Sequence, residues 1–161
     1  MARAYGYLHL DVFTGDRFAG NQLAVLGTSG NGSGQLADPY DVALDLEGNI
    51  FVVEQNKCRV QKFDRRGRPL AQWGTPGNKP GKFNRPNYLT VDRDGYVYVS
   101  DSGNRRVQKF DNHGNFVCQI GDAGSKADSV GSPSGIAVDG AGNIYVVDRG
   151  NHQIKKYAPA D

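Results

Sequence analysis

The chain has 161 residues, of which 22 are glycines and 38% are hydrophobic, and its formal net charge is +2. This length suits one domain, and short runs of Val, Ile, Tyr and Phe between glycines are typical of a turn-rich β protein, which argues against a helix bundle. The small net charge excludes a strong demand for a polyelectrolyte partner, and no apolar run is long enough to span a membrane.

The N-terminus and the cysteines indicate a cytoplasmic protein. The opening segment MARAYGYLHLDVF carries charge but no continuous apolar core, so it does not predict a secretory signal. Cys58 and Cys118 occupy different positions of the repeat described below, without a CxxC pair or a Cys/His cluster. We expect two reduced thiols; a disulfide or a metal pair is the alternative.

Residues 8–27, LHLDVFTGDRFAGNQLAVLG, predict two strands joined by a glycine-containing loop. The segments Asp11–Phe13, Phe18–Asn21 and Leu23–Val25 resemble the opening hairpin of the PhzF-like isomerases of phenazine biosynthesis, over about residues 5–26. The catalytic Glu of that family lies beyond this hairpin, where this chain has turned into other sequence, so isomerase activity does not carry over. The resemblance implies a chimera, natural or engineered; the alternative is a chance or reused hairpin.

Three segments align without a gap. They begin at Pro39, Pro86 and Pro133, which sets a period of 47 residues (86 − 39 and 133 − 86). Repeats in this size range indicate propeller blades or solenoid units, and the absence of a 3.6-residue apolar period excludes a helical solenoid. The aligned segments are residues 39–63, 86–110 and 133–157.

Each unit predicts up to four antiparallel strands, the make-up of a propeller blade. An Asp and then a Gly lead the chain through the turn after the first strand, since Asp accepts backbone N–H bonds and Gly tolerates positive φ. The strands are predicted, in order within the unit, at Val42–Asp45, Leu89–Asp92 and Ile136–Asp139; Ile50–Val53, Val97–Ser100 and Ile144–Val147; Val60–Phe63, Val107–Phe110 and Ile154–Tyr157; and Leu70–Trp73 and Phe116–Ile120.

The third copy, AVDGAGNIYVVDRGNHQIKKY, is similar to the NHL repeat, with Asn151, His152 and Ile154 at signature positions. The first two copies are looser, and the first has Glu54 and Cys58 where the third has Asp148 and His152. This resemblance covers about residues 20–157 with the flanking strand, and it implies a propeller, usually of six blades. Some NHL domains bind RNA or protein.

The repeat count predicts self-association. Shifted by one period, Gly20 falls on Gly67 and Gly27 on Gly74, so Asn21–Gly27 is expected to be a fourth strand, which the third copy lacks. About three blades would leave two open edges. We therefore expect a homodimer that closes one six-bladed ring by strand exchange, or else a fragment in another oligomer. The divisions are residues 1–19, 20–38, 39–85, 86–132 and 133–161.

No catalytic constellation emerges, and we expect neither a cofactor nor a metal. His9, His113 and His152 share no repeat position, which disfavours a zinc site and with it a metal-dependent lyase activity. Asp45, Asp92 and Asp139 recur at one turn, which favours a structural role. Glu54, Asp101 and Asp148 are expected to brace the following loop in the same way.

The basic residues carry the one binding hypothesis, because phosphate contacts need clustered Lys and Arg. The loops between second and third strands and the connectors between blades are expected on one face. The candidates there are Lys57, Arg59, Lys79, Lys82, Arg85, Arg105, Arg106, Arg149 and His152. Acidic residues near this face, which would dilute its charge, are Asp101, Asp122, Asp128 and Asp148.

These observations favour a non-enzymatic, self-assembling propeller scaffold, chimeric or engineered and without an evolved ligand. The first alternative is an RNA- or protein-binding module that uses the basic face, although a merely solvated loop face explains the same residues. The second alternative, an isomerase or lyase activity inherited from a parent family, has no catalytic residues to carry it.

Overall fold

A computed structural model describes residues 27–121 and 129–159, and it is all-β apart from one short 3-10 turn at Ser102–Asn104. The predicted N-terminal strand and residues 20–26 of the predicted closing strand lie outside the described residues. The described strands are β1 (Thr28–Ser29), β2 (Gln35–Leu36), β3 (Pro39–Leu44), β4 (Ile50–Glu54), β5 (Arg59–Phe63), β6 (Pro69–Trp73), β7 (Pro86–Val91), β8 (Val97–Asp101), β9 (Arg106–Phe110), β10 (Phe116–Ile120), β11 (Pro133–Val138), β12 (Ile144–Asp148) and β13 (Gln153–Tyr157).

The long strands form three antiparallel sheets in chain order, which we call blades 1, 2 and 3. Blade 1 is β3-β4-β5-β6 and blade 2 is β7-β8-β9-β10, whereas the described part of blade 3 is β11-β12-β13. The first strands β3, β7 and β11 contact one another in succession, so the blades stand side by side around these strands. The prediction of four-stranded antiparallel units is confirmed for blades 1 and 2.

The first strands begin three residues earlier than predicted, at Pro39, Pro86 and Pro133. Each proline pairs with the acidic residue at the end of the second strand, and a bulge separates it from the regular ladder. Proline is tolerated at the first residue of a strand because its missing N–H removes no central ladder bond.

An Asp–Gly turn closes each first hairpin, as predicted. In blade 1, Asp45 Oδ1 accepts the backbone N–H groups of Glu47 and Asn49. Gly48 completes the turn at φ +79°, a conformation that L side chains rarely adopt. Asp92 and Asp139 make the same pair of contacts in blades 2 and 3, so the repeated aspartates are structural.

Alternating side chains give each blade two faces. We call the face that carries Ile50 and Val52 in blade 1 the leading face, and the face that carries Phe51 and Val53 the trailing face. The trailing face of each blade packs on the leading face of the next and buries an apolar core between them. The buried side chains are Phe51, Val53 and Val60 against Leu89, Val97, Val99 and Phe110, and Tyr98 and Val107 against Ile144 and Val146.

The connectors between blades insert one apolar side chain into each of these cores. Phe83 lies in the core between blades 1 and 2, and Val130 lies in the core between blades 2 and 3. Leu36, one period before Phe83, packs on the leading face of blade 1. We call Leu36, Phe83 and Val130 the plug residues.

Candidate functional site

A buried ion pair fixes the connector before blade 1 to that blade. Glu54 and Arg59 face each other across β4 and β5, and Arg59 Nε donates to Glu54 Oε2 at 2.5 Å. The remaining guanidinium nitrogens of Arg59 donate to connector carbonyls, including Asn31 O and Gln35 O, each at 2.9 Å. Gln61 joins the network by donating to Glu54 Oε2 at 2.8 Å. Every polar partner is therefore internal to the chain.

Blade 2 repeats this network with an aspartate. Arg106 Nε donates to Asp101 Oδ2 at 2.8 Å, and Arg106 Nη2 donates to the carbonyls of Lys79 and Lys82. Gln108 takes the position of Gln61 and donates to Asp101 Oδ2. The two blades thus hold their preceding connectors in the same way.

Blade 3 has the same carboxylate, but its cation is a lysine at a different position of the repeat. Gln153, which is exposed, stands at the arginine position, and Lys155 stands at the glutamine position. Lys155 Nζ donates to Ser129 O and lies 4.0 Å from Asp148 Oδ2. Burial raises the pKa of Asp148, but hydrogen bonds from the backbone N–H groups of Ser132 and Gly131 outweigh it and hold that pKa below its ordinary value.

These networks correct the predicted basic face. Arg59 and Arg106 are buried, so they do not belong to an exposed ligand-binding set. Asp101 is buried in its pair with Arg106, whereas Asp148, although buried, lines a pocket beside Arg149 and His152.

The predicted bracing of the following loop is confirmed for Asp101 and Asp148, which accept from the side chains of Asn104 and Asn151. All three carboxylates also accept from the preceding connector, and for Glu54 the connector donor is Ala37 N.

The remaining basic candidates lie in loops at one end of the blades. Backbone hydrogen bonds tie each second-to-third-strand loop to a connector, as from Gly103 N to Asn84 O and from Arg149 N to Ser132 O. Of these candidates, Lys57 is half-buried and the others are exposed: Lys79, Lys82, Arg85, Arg105, Arg149 and His152. Arg105 and His152 have φ near +55°, as does Cys58 at the same repeat position.

The histidines do not converge. His113 lies exposed in the turn closed by Asp111, His152 lies in the basic loops, and His9 is outside the described residues. Within residues 27–121 and 129–159, no three His, Cys, Asp or Glu side chains are grouped closely enough to hold a metal ion. In the same residues, no helix is long and apolar enough to cross a membrane.

The trailing face of blade 3 is open. Ile154 exposes 74% of its surface, whereas Val60 and Val107 at the same repeat position expose none. Val147 exposes 40%, whereas Val53 at its position is fully buried. An open pocket of about 510 Å³ lies on this surface, lined by Val147, Asp148, Arg149, His152, Gln153 and Ile154.

On the leading face of blade 1, the side chains of β3 are exposed, whereas Ile50, Val52 and Phe63 are buried. Val42 exposes 58% of its surface, whereas Leu89 at the same position of blade 2 exposes 5%. Leu44, on the same strand, is also exposed. The two ends of the described array therefore expose apolar side chains at repeat positions that are covered at the interfaces within the chain.

Comparison with known proteins supports this architecture. The family model described as NHL repeat matches residues 83–110 and 131–157, which include the second and third copies of the period. These two stretches match NHL repeats, and the antiparallel sheets to which they belong are blades of the propeller type. No curated protein sequence matches the chain.

Several solved structures share the fold. A streptogramin B lyase is 16% identical with a TM-score of 0.56, over 77% of this chain and 41% of that chain. A virginiamycin B lyase from Staphylococcus aureus is 14% identical with a TM-score of 0.54, over 77% and 42%. A protein of unknown function from Bacteroides caccae is 10% identical with a TM-score of 0.59, over 75% and 46%. The chain therefore spans less than half of each, and the similarity shows the fold alone.

Proposed function

We propose that this chain is a non-enzymatic scaffold whose copies associate, with two copies closing a six-bladed propeller. The observation that carries the proposal is the contrast at one repeat position: Ile154 is 74% exposed, whereas Val60 and Val107 are fully buried. Burying an isoleucine side chain contributes about 1.5–3 kcal/mol, so an open face of this composition favours a partner.

The partner surface that best fits this face is present on the chain itself. Val42 and Leu44 of blade 1 stand where Leu89 and Val91 of blade 2 meet the trailing face of blade 1. A second copy would therefore place its blade 1 against blade 3 of the first, and a two-fold arrangement would repeat the contact.

Residues 20–27 supply the fourth strand in this arrangement. Gly27, the last of them and a described residue, has φ +76°, close to Gly74 (+97°) and Gly121 (+85°) at the ends of the other fourth strands. In the described residues, β13 pairs with β12 on one edge only. The segment from a second copy would pair with β13 and cover that edge, which otherwise invites aggregation.

Sedimentation velocity at micromolar concentration tests the proposal. We expect a particle of twice the 17.4 kDa of one chain, and the variant Ile154→Asp should sediment as a monomer. Leu70→Asp is the matched control, because Leu70 is also apolar and exposed (54%) but lies on the outer strand of blade 1, and this variant should remain dimeric. A wild-type chain that sediments as a monomer would overturn the proposal.

A second candidate, single-stranded RNA binding, is favoured by the exposed basic side chains at one end of the blades, which are Lys79, Lys82, Arg85, Arg105 and Arg149. Arg105→Glu with Arg149→Glu should weaken RNA binding and reduce its dependence on salt. Arg65→Glu with Arg66→Glu makes the same charge change at exposed residues of the opposite end of blade 1. This control should leave RNA binding and its dependence on salt unchanged. Equal affinity in both double variants, or no RNA binding at low salt, would exclude this candidate and leave protein partners.

A further inference from the structure

We infer that Leu36 of a second copy, with the connector that carries it, docks in the pocket on blade 3. This inference rests on the proposed self-association. The pocket is lined by Val147, His152 and Ile154 among others. The segment of the second copy that docks is residues 27–36, which we call the N-terminal connector. Three observations carry this assignment.

The first observation is that both internal interfaces contain a plug residue in the equivalent place. Phe83 is fully buried in a core that includes Val53 and Val60, and Cys58 packs against that core. Val130 is buried with Val107 between blades 2 and 3. Two periods further along, Val147, His152 and Ile154 correspond to Val53, Cys58 and Val60, and they line an open pocket.

The second observation is a tight contact between each plug residue and the glycine that ends a fourth strand. A Cβ atom on Gly74 would lie 2.5 Å from Phe83 Cε2 and 2.7 Å from Cys58 O, and one on Gly121 would lie 2.7 Å from Val130 Cγ2. These distances are too short for a Cβ atom, so a residue other than glycine would require Phe83, Cys58 or Val130 to shift. The plug, the glycine and the loop carbonyl at Cys58 therefore form one compact unit.

The N-terminal connector already carries two parts of this unit. A Cβ atom on Gly27 would lie 3.2 Å from Leu36 Cδ1, so the glycine and the plug are adjacent before any partner arrives. Leu36 is half-buried, whereas Phe83 and Val130 are buried. The missing third part is a loop of the Cys58 type, and the loop at His152 has the matching backbone conformation, with φ 55° against 51°.

The third observation is that the connector is preformed and uncharged. Ser29 pairs with Leu36 as Pro76 pairs with Phe83, and Gly30 N donates to Leu36 O as Gly77 N donates to Phe83 O. Residues 27–36 contain no charged side chain, so they meet Arg149 and His152 at the pocket without repulsion. A connector fixed in its bound shape also loses little conformational entropy on docking.

Cysteine cross-linking between separately prepared chains tests the assignment. With Cys58 and Cys118 replaced by serine, Leu36→Cys chains mixed with His152→Cys chains and treated with a mild oxidant should form a covalent dimer, whereas either variant alone should not. Cysteine suits position 152 because blade 1 already carries Cys58 there. The matched internal control is Val130→Cys with Arg105→Cys, which places the same pair of repeat positions within one chain and should form an intramolecular disulfide.

Hydrogen exchange of the wild-type chain gives a second measurement that does not depend on disulfide geometry. On dilution from dimer to monomer, peptides covering 27–36 and 148–154 should lose protection together. A dimer that protects 148–154 but leaves 27–36 at the monomer level would overturn the docking of Leu36 while leaving the proposed self-association intact. A chain that is monomeric throughout would instead overturn the proposed self-association.

Discussion

The interface between blades 1 and 2 and the open trailing face of blade 3 are built from the same repeat positions. At the closed interface a plug residue, Phe83, fills the space over Val53 and Val60, and all three side chains are fully buried. At the open face, Val147 and Ile154 stand exposed beside a pocket. The two faces share their repeat positions and differ in how far their apolar side chains are covered.

The buried networks show a second difference between these regions. Blade 2 holds its connector through Arg106, whose guanidinium donates to one carboxylate and to two carbonyls. Blade 3 has a lysine in a different position, 4.0 Å from its carboxylate. A planar guanidinium satisfies several acceptors at once, whereas an ammonium group acts as a point charge. The connector of blade 3 is therefore held by Asp148, which accepts from Gly131 N and Ser132 N, and by Lys155, instead of by a guanidinium.

The largest expected effect comes from emptying the closed interface. Phe83→Ala should lower the free energy of unfolding by about 3–5 kcal/mol, because a fully buried aromatic ring is replaced by a cavity. Trp73, the single tryptophan, contacts the rings of Phe51 and Phe110 at this interface, so its fluorescence reports unfolding.

The matched change at the open end is Leu36→Ala, in the monomeric Ile154→Asp background. This change should lower the free energy of unfolding by less than Phe83→Ala does, since Leu36 is only half-buried within one chain. Equal losses of unfolding free energy in the two variants would mean that Leu36 is already covered within one chain. The contrast between closed and open interfaces would then be wrong.

The next effect concerns the buried ion pair. Arg106→Met should lower the free energy of unfolding by about 3 kcal/mol, because it leaves Asp101 buried without its charged partner. Lys155→Met in blade 3 should cost less, since Lys155 lies 4.0 Å from Asp148, which keeps hydrogen bonds from Gly131, Ser132 and Asn151. Urea denaturation of both variants measures the difference. A costlier Lys155→Met would show that blade 3 depends on its cation as much as blade 2 does.

The blade architecture was predictable because the period repeats without a gap and each copy pairs its turn signals with short β-rich runs. The ion pairs were missed because Arg59 and Arg106 were interpreted from their loop positions alone. The signal was present: an acid, an arginine five residues later and a glutamine two further on occur in two copies. In a tight hairpin that spacing places acid and arginine opposite each other, and such a pair excludes solvent.

The plug residues left a weaker signal. Leu36, Phe83 and Val130 recur at the period within polar, glycine-rich connectors, but their burial depends on a neighbouring blade. A contact between elements far apart in the chain cannot be deduced from local pattern alone. For the same reason the open face of blade 3 became recognisable only beside its closed counterparts.

A smaller and opposite effect should follow from giving blade 3 the network of blade 2. Gln153→Arg combined with Lys155→Gln should raise the free energy of unfolding by about 1 kcal/mol, since an arginine there can donate to Asp148 and to connector carbonyls as Arg106 does. Gln153→Arg alone is the control and should gain less, because two cations would then adjoin one carboxylate. No gain in melting temperature for the double variant would mean that the lysine arrangement of blade 3 stabilises the fold as much as the arginine network of blade 2 does.

The smallest effect lies in the Asp–Gly turns, at the end of the blades away from the loops that bind the connectors. The hydrogen bond from the Asn143 side chain, with those from the backbone of Asn143 and Ala141, lowers the pKa of Asp139 to about 2 from an ordinary 3.8. Because the folded-state pKa is depressed, the stability from this group is present above pH about 4 and is lost as the pH falls through about 2.

Carbon-detected NMR titration of Asp139 should give that midpoint in the wild type, and Asn143→Ala should move it toward the ordinary value. Asp139 belongs to the turn after β11 and does not line the pocket on blade 3, so the midpoint should be the same in the wild type and in the Ile154→Asp variant that is proposed to be monomeric. A midpoint that differs between them would mean that closing the open face changes the far end of blade 3. The inter-blade interface and the turns would then not be independent regions of the repeat.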